Sequence, residues 1–162
     1  MKKLYIIRHA KSSWKDMQLE DFDRPLNKRG KLNAPLMGTV LNKQNIKPNI
    51  ILSSPALRAK ITAQIVAKKV GYSKEILFMK EIYEASSSML DKVLKSIDKK
   101  HDIVFIFGHN PGFNDLAYRY VGFDENIPTC GVVEIAFDCK RWSEIDSLNA
   151  ELISFDYPKK HL

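Results

Sequence analysis

Ile103-Val104-Phe105-Ile106-Phe107-Gly108-His109-Asn110-Pro111-Gly112 is the stretch on which the reading of this chain turns. Its first five residues are all β-branched or aromatic. Such a run is far too short to span a membrane and matches a strand buried on both faces. Asn110-Pro111 follows, a capping residue with proline where a helix begins. Beyond it Phe113, Leu116, Ala117 and Tyr120 fall on one helical face. A buried strand, a short loop and an amphipathic helix make one unit of an α/β fold.

The same unit recurs outward in both directions. Leu4–Ile7 reads as a compact buried strand, and residues 28–44 as a helix after Asn27 that Pro35 should kink or delay. Asn49–Leu52 is a second strand. Ser54-Pro55 then predicts a helix start, with Leu57, Ile61, Ile65 and Val66 as its apolar stripe. Ile76–Met79 is a weaker strand. Ser88 and Asp91 have capping-box spacing, ahead of a face made by Met89, Leu90, Val93, Leu94 and Ile97. Val132–Phe137 and Leu152–Phe155 close the chain as two strands expected to be antiparallel. The alternation predicts a three-layer α/β/α sandwich around a mostly parallel central sheet, one domain over residues 1–162. A chain of this size buries about 69% of its unfolded surface, enough for a core without staples.

Composition narrows the classes further. The apolar fraction is 44% and the charged fraction 28%, which excludes a disordered or fibrous chain. No leader-like apolar segment follows Met1, and Cys130 and Cys139 form neither a disulfide framework nor a zinc motif, so a reducing cytoplasm is the expected compartment. The net charge of +7 is unevenly spread: residues 1–60 hold 13 Lys and Arg against 4 Asp and Glu. That bias favours an anionic partner, although solvated lysines alone give the same number.

In a parallel α/β sheet, ligands bind beyond the carboxyl ends of the strands. The residues there are Arg8-His9 after the first strand, Ser53-Ser54-Pro55 with Arg58 after the second, and Gly108-His109 after the third long one. A lone histidine at a strand end is more often a hydrogen-bonded structural residue, and a lone arginine a surface charge. Two of each on one edge fit phosphate. Arginine offers a permanently charged fork, helix starts offer free N–H groups, and neutral imidazole is a nucleophile at neutral pH. Other phosphate chemistries lack their marks: there is no GxxxxGK[ST] loop, no Cys with Arg six residues on, and no cluster of metal ligands, while Asp21 and Asp23 follow no buried strand. No cofactor is expected. A nucleic-acid binder would need a helix-turn-helix, a zinc motif or basic residues interleaved with aromatics, and none is present.

Four motifs in order carry a family resemblance. Leu4-Tyr5-Ile6-Ile7-Arg8-His9-Ala10 resembles the Arg-His-Gly signature of the histidine phosphatase (phosphoglycerate-mutase-like) superfamily. Asp21-Phe22-Asp23-Arg24-Pro25-Leu26-Asn27-Lys28-Arg29-Gly30, Ile51–Ala59 with its Ser53-Ser54-Pro55 and Arg58, and Gly108–Gly112 resemble the short SixA-type phosphohistidine phosphatases, as does Pro128-Thr129. The likeness runs from Lys3 to about Gly131. It implies that His9 is the phosphorylated nucleophile, that Arg8, Arg58 and His109 complete the phosphate pocket, and that Ser12 is a pocket serine. Ala10 stands where glycine is usual, and Lys15 where mutases carry a pocket asparagine. Long insertions over the site are absent, which implies an open pocket suited to a phosphorylated side chain on a protein. For the general acid, Glu84 fits the spacing of larger relatives best and Glu81 second, against two plain surface carboxylates. The expected activity is metal-independent hydrolysis of phosphohistidine on a protein. Its rivals are a small-molecule phosphomonoesterase and a non-catalytic phosphoprotein-binding module.

Overall fold

The computed structural model describes residues 1–162. Six strands form one sheet: β1 (Lys2–Arg8), β2 (Ile50–Ser53), β3 (Leu77–Phe78), β4 (Ile103–Gly108), β5 (Val132–Phe137) and β6 (Ala150–Asp156). Their order is β3-β2-β4-β1-β5-β6, with β1 to β4 parallel and only β5 reversed. Side chains alternate across the central strands. Leu4, Ile6, Val104 and Ile106 enter the core on one face, Tyr5, Ile7, Phe105 and Phe107 the core on the other. Helices α1 (Lys28–Lys43) and α2 (Leu57–Lys69) cover the second face, and α3 (Ser87–Lys95) and α4 (Gly112–Val121) the first. This is the expected α/β/α sandwich. No helix is long and apolar enough to cross a membrane.

Several local expectations shift by a residue or two, each for a visible reason. Helix α1 begins where predicted, capped by Asn27 accepting from the Gly30 N–H at 2.9 Å, and continues through Pro35 without ending. Ser54 is not the N-cap of α2, which starts three residues on; its hydroxyl accepts from the Ala56 N–H two residues ahead and meets His109. The sheet-facing stripe of α2 is Ala59, Thr62, Ala63, Val66 and Ala67, with Ile61 and Ile65 only partly buried. Small residues let this helix lie close to the sheet. The cap of α3 is Ser86, through the Met89 N–H. Asp91, read as a capping-box acid, is instead buried and accepts from the Tyr120 hydroxyl at 2.5 Å while pairing with Lys95.

Adjacent strands β1 and β4 send their chains to helices on opposite faces, so a crevice opens at their carboxyl ends. Gly30 and Gly112 bring two helix starts to that edge. A Cβ on Gly30 would stand 2.2 Å from the Lys11 carbonyl oxygen, and one on Gly112 2.3 Å from that of Ala85.

Candidate active site

Strand register assembles the site. Arg8 pairs with Gly108 and Ser53 with Phe107. The ladder then runs one residue further: the His9 N–H donates to the Gly108 carbonyl at 3.0 Å and the Ser54 N–H to that of Phe107 at 2.9 Å. His9, His109 and Ser54 therefore stand at neighbouring strand ends, with the two imidazole centroids 5.2 Å apart. The two histidines open on a cavity of about 500 Å³ whose walls include Arg8, His9, Lys11, Ser12, Lys15 and Arg24. Arg58, His109 and Thr129 also line it, and no carboxylate does. The structure thus brings together Arg8, His9, Ser12, Arg58 and His109, the residues the sequence singled out at the pocket.

The tautomer of His9 follows from its one hydrogen bond. Nδ1 lies 2.7 Å from the Ala10 carbonyl oxygen, which can only accept, so Nδ1 carries the hydrogen and Nε2 keeps its lone pair. Burial is the main cause that lowers its pKa. The Arg58, Arg8 and Arg24 charges add to it, the Ala10 bond opposes, and the result is a value pushed down to about 4. His109 is pushed down to about 3, by burial first and then by His9, Arg58 and Arg8 against the pull of Asp21. Both rings are neutral at pH 7. Its Nε2 lies 2.8 Å from the Ser54 hydroxyl, and its buried Nδ1 has no partner. The bond to Ser54 occupies Nε2 and leaves Nδ1 without a protein partner.

The guanidinium groups are held from behind. Arg8 donates from Nη1 to the Ile127 carbonyl at 3.0 Å, and its buried Nε is unpartnered. Arg58 forks onto Asp21, Nη1 to the carbonyl at 2.7 Å and Nη2 to Oδ2 at 3.0 Å. Asp21 Oδ1 accepts from Arg24 at 3.0 Å, and the Tyr83 hydroxyl donates to Oδ2 at 2.7 Å. Burial pushes the Asp21 carboxyl up, but the bonds from Tyr83, Arg58 and Arg24 outweigh it and bring the pKa down to about 2. Arg24 also bonds the Ser12 hydroxyl and lies 3.2 Å over the Trp14 ring. Asp21 thus aligns two arginines with one carboxylate. Asp21, Arg24, Trp14 and Tyr83 have no role in the sequence reading: the first three lie in a stretch between β1 and α1 whose only signal is the 21–30 motif, and Tyr83 lies beyond β3, some sixty residues away.

Thr62 is a further unanticipated contributor. Its hydroxyl accepts from the Ala10 N–H at 2.9 Å and donates to the Arg58 carbonyl at 2.7 Å. One buried group therefore ties the residue after His9 to the residue opposite it. Thr62→Val conserves shape and leaves the Ala10 N–H unsatisfied, which should cost about 1–3 kcal/mol. The expected readout is a melting temperature lower by about 2–10 °C together with slower turnover; unchanged values in both would show that the link is idle.

Glu84 lies outside this pocket. It is exposed, with its backbone in the left-handed region at φ 54°, on the wall of an adjoining hollow of about 600 Å³ with Asp21, Tyr83 and Asp115. The two hollows share Arg58, His109 and Asn110. Glu81 lines neither.

Comparison with known proteins decides the family. A sequence model of the histidine phosphatase superfamily (branch 1) matches residues 4–104. The chain belongs to the histidine phosphatase superfamily. A chloroplastic protein of Arabidopsis thaliana is 30% identical over 157 residues, which cover 91% of this chain and 72% of that one. Among solved structures, a candidate phosphohistidine phosphatase SixA from Agrobacterium tumefaciens superposes with a TM-score of 0.84 at 26% identity, covering 97% of this chain and 98% of that one. The protein histidine phosphatase SixA in complex with tungstate shares the fold, with a TM-score of 0.84 at 18% identity over 98% of each chain. Within this histidine phosphatase frame the low imidazole pKa values have a direct consequence. Activity that depends on neutral His9 should stay level as pH falls from 8 to about 5 and be lost through about 4. Stability runs the same way. The unfolded chain binds protons at His9 and His109 near pH 6.5 and the folded one does not, so stability declines as pH falls from about 6.5 towards 4. A turnover profile with its acid limb near 6.5 would contradict a buried, neutral His9.

Proposed function

We propose that this protein is a metal-independent phosphatase that removes phosphate from phosphohistidine on a protein through a phosphohistidine intermediate at His9. The observation that carries the reading is the His9 Nε2 lone pair, freed by the Nδ1–H bond to Ala10, within a pocket of arginines that contains no carboxylate. Nε2 attacks phosphorus, the bond from phosphorus to the substrate nitrogen breaks, and the departing imidazole takes up a proton. Water then attacks phosphorus, the bond to Nε2 breaks, and orthophosphate leaves with the lone pair restored to His9. Arg8, Arg58, Arg24 and His109 hold the equatorial oxygens, and Ser12 steadies Arg24. Most of the rate comes from positioning and electrostatic stabilisation. Tungstate, bound by a relative of the same fold, is an oxyanion of the kind such a pocket takes.

The small-molecule rival is separated by substrate. A phosphohistidine protein should be hydrolysed with a higher kcat/KM than sugar phosphates, with activity retained in excess chelator; the reverse order would favour the monoesterase. Glu84 is assigned as proton donor from the adjoining hollow, and its value depends on the leaving group. Glu84→Gln should slow an alkyl phosphate most, phosphohistidine less and nitrophenyl phosphate hardly at all. Equal slowing of all three would reduce Glu84 to a loop residue, and a gradient in Glu81→Gln alone would transfer the role to Glu81.

A further inference from the structure

A second, larger hollow of about 780 Å³ adjoins the phosphate pocket and shares Lys11, Lys15 and Asn27 with it. Lys28, Arg29, Leu32, Asn33 and Leu36 on the first turns of α1 line its other side, and Leu162 reaches its wall. None of the four cations makes an ion pair. Lys28 and Arg29 occupy the first helical turn, which holds no acidic residue, so they face the positive end of the helix dipole. Leu32 is 65% exposed between them and the helix body. Uncompensated charge at a helix start and an exposed leucine both work against folding, and such local violations concentrate where a surface has another use. The volume exceeds what a phosphoryl group needs and lies in the range that holds several side chains.

We infer that this groove docks an acidic, leucine-bearing segment of the phosphorylated protein, next in sequence to the residue whose phosphate enters the pocket. The inference rests on the phosphatase reading and adds to it the kind of polypeptide recognised. Carboxylates of the segment pair with Lys11, Lys15, Lys28 and Arg29, and its apolar side chains cover Leu32 and Leu36. Nucleic acid fits less well. No aromatic residue lines the groove, so it offers bases no stacking platform.

The test uses two peptides with one central histidine, phosphorylated with phosphoramidate. One is flanked on one side by Asp, Glu and Leu, the other by Ser and Gly. The acidic peptide should be dephosphorylated with a kcat/KM about tenfold higher, an advantage that fades in high salt. The double variant Lys28→Glu with Arg29→Glu should erase the advantage and leave kcat at saturating nitrophenyl phosphate unchanged. Acidic residues in a first helical turn are favoured, so unfolding would not explain the loss. Leu32→Ser should remove part of it. Equal rates on the two peptides, or an advantage that survives the double reversal, would overturn the proposal. Binding of the unphosphorylated acidic peptide, followed by NMR, tests the groove even if phosphohistidine is not the substrate. Shifts at residues 11, 15 and 28–36 that vanish in the double variant support docking, and their absence refutes it. Displacement of that peptide by a single-stranded oligonucleotide at lower concentration than by the acidic peptide itself would assign the groove to nucleic acid instead.

Discussion

His9→Asn should reduce turnover by about four orders of magnitude or more, on phosphohistidine and nitrophenyl phosphate alike. Asparagine is polar and smaller and has no ring nitrogen to form the phosphoramidate. The loss should be independent of the leaving group, which separates a missing nucleophile from a missing acid. Folding should survive, because the only side-chain hydrogen bond of His9 is to the carbonyl of its neighbour Ala10. Removing a buried imidazole from among three guanidinium groups should leave the melting temperature unchanged or raise it, as often happens when a functional residue is replaced. Activity within tenfold of the wild type would mean that another group attacks phosphorus.

The second large effect belongs to Arg58. Arg58→Ala should lower kcat by about 10²- to 10³-fold, the range found when one preorganised donor is taken from a developing oxyanion. Arg58→Lys keeps the charge but loses the fork, and a decrease of at least about tenfold is expected. The fork matters twice. It reaches the phosphate pocket, and it fixes Asp21, whose other oxygen holds Arg24. Lysine cannot donate in parallel to the Asp21 carbonyl and carboxylate, so Arg24 should also loosen. Steady-state kinetics on the two variants checks this, and a near-wild-type Arg58→Lys would reduce the residue to a surface charge.

The reason that strand ends could be read from sequence, and their surroundings less well, is physical. Ile103–Phe107 and Leu4–Ile7 are continuous apolar runs, and a parallel sheet covered on both faces is the structure that buries them. Once those strands are placed, Arg8, His9 and His109 are fixed by the next step of the ladder. Helix starts were less legible. Ser54 has the chemistry of a cap, yet it serves a turn and His109, because Pro55 and Ala56 delay the helix by two residues. Asp91 has the spacing of a capping box, yet its partner is Tyr120, a contact across two helices that no local pattern encodes. Asp21 and Arg24 were the larger omission. They lie in the connection between β1 and α1, and what places them is side-chain bonds to Arg58 and Ser12, which are 37 and 12 residues away in sequence. Thr62 was hidden for the opposite reason, since a threonine on a buried helix face reads as core.

The uneven charge of the first 60 residues also acquires a place. Lys11, Lys15, Arg24, Lys28, Arg29 and Arg58 all line either the phosphate pocket or the groove beside it. What looks in sequence like a solubility bias is concentrated around one edge of the sheet, where it raises the local concentration of anionic substrate.

Rapid quenching after brief reaction with substrate labelled at phosphorus tests the central claim most directly. The account predicts one labelled phosphate per chain, stable in alkali and lost in acid as a phosphoramidate is, on the peptide that contains His9, and absent from His9→Asn. Label that resists acid, label on any other residue, or full turnover with no labelled protein at any quench time would contradict it.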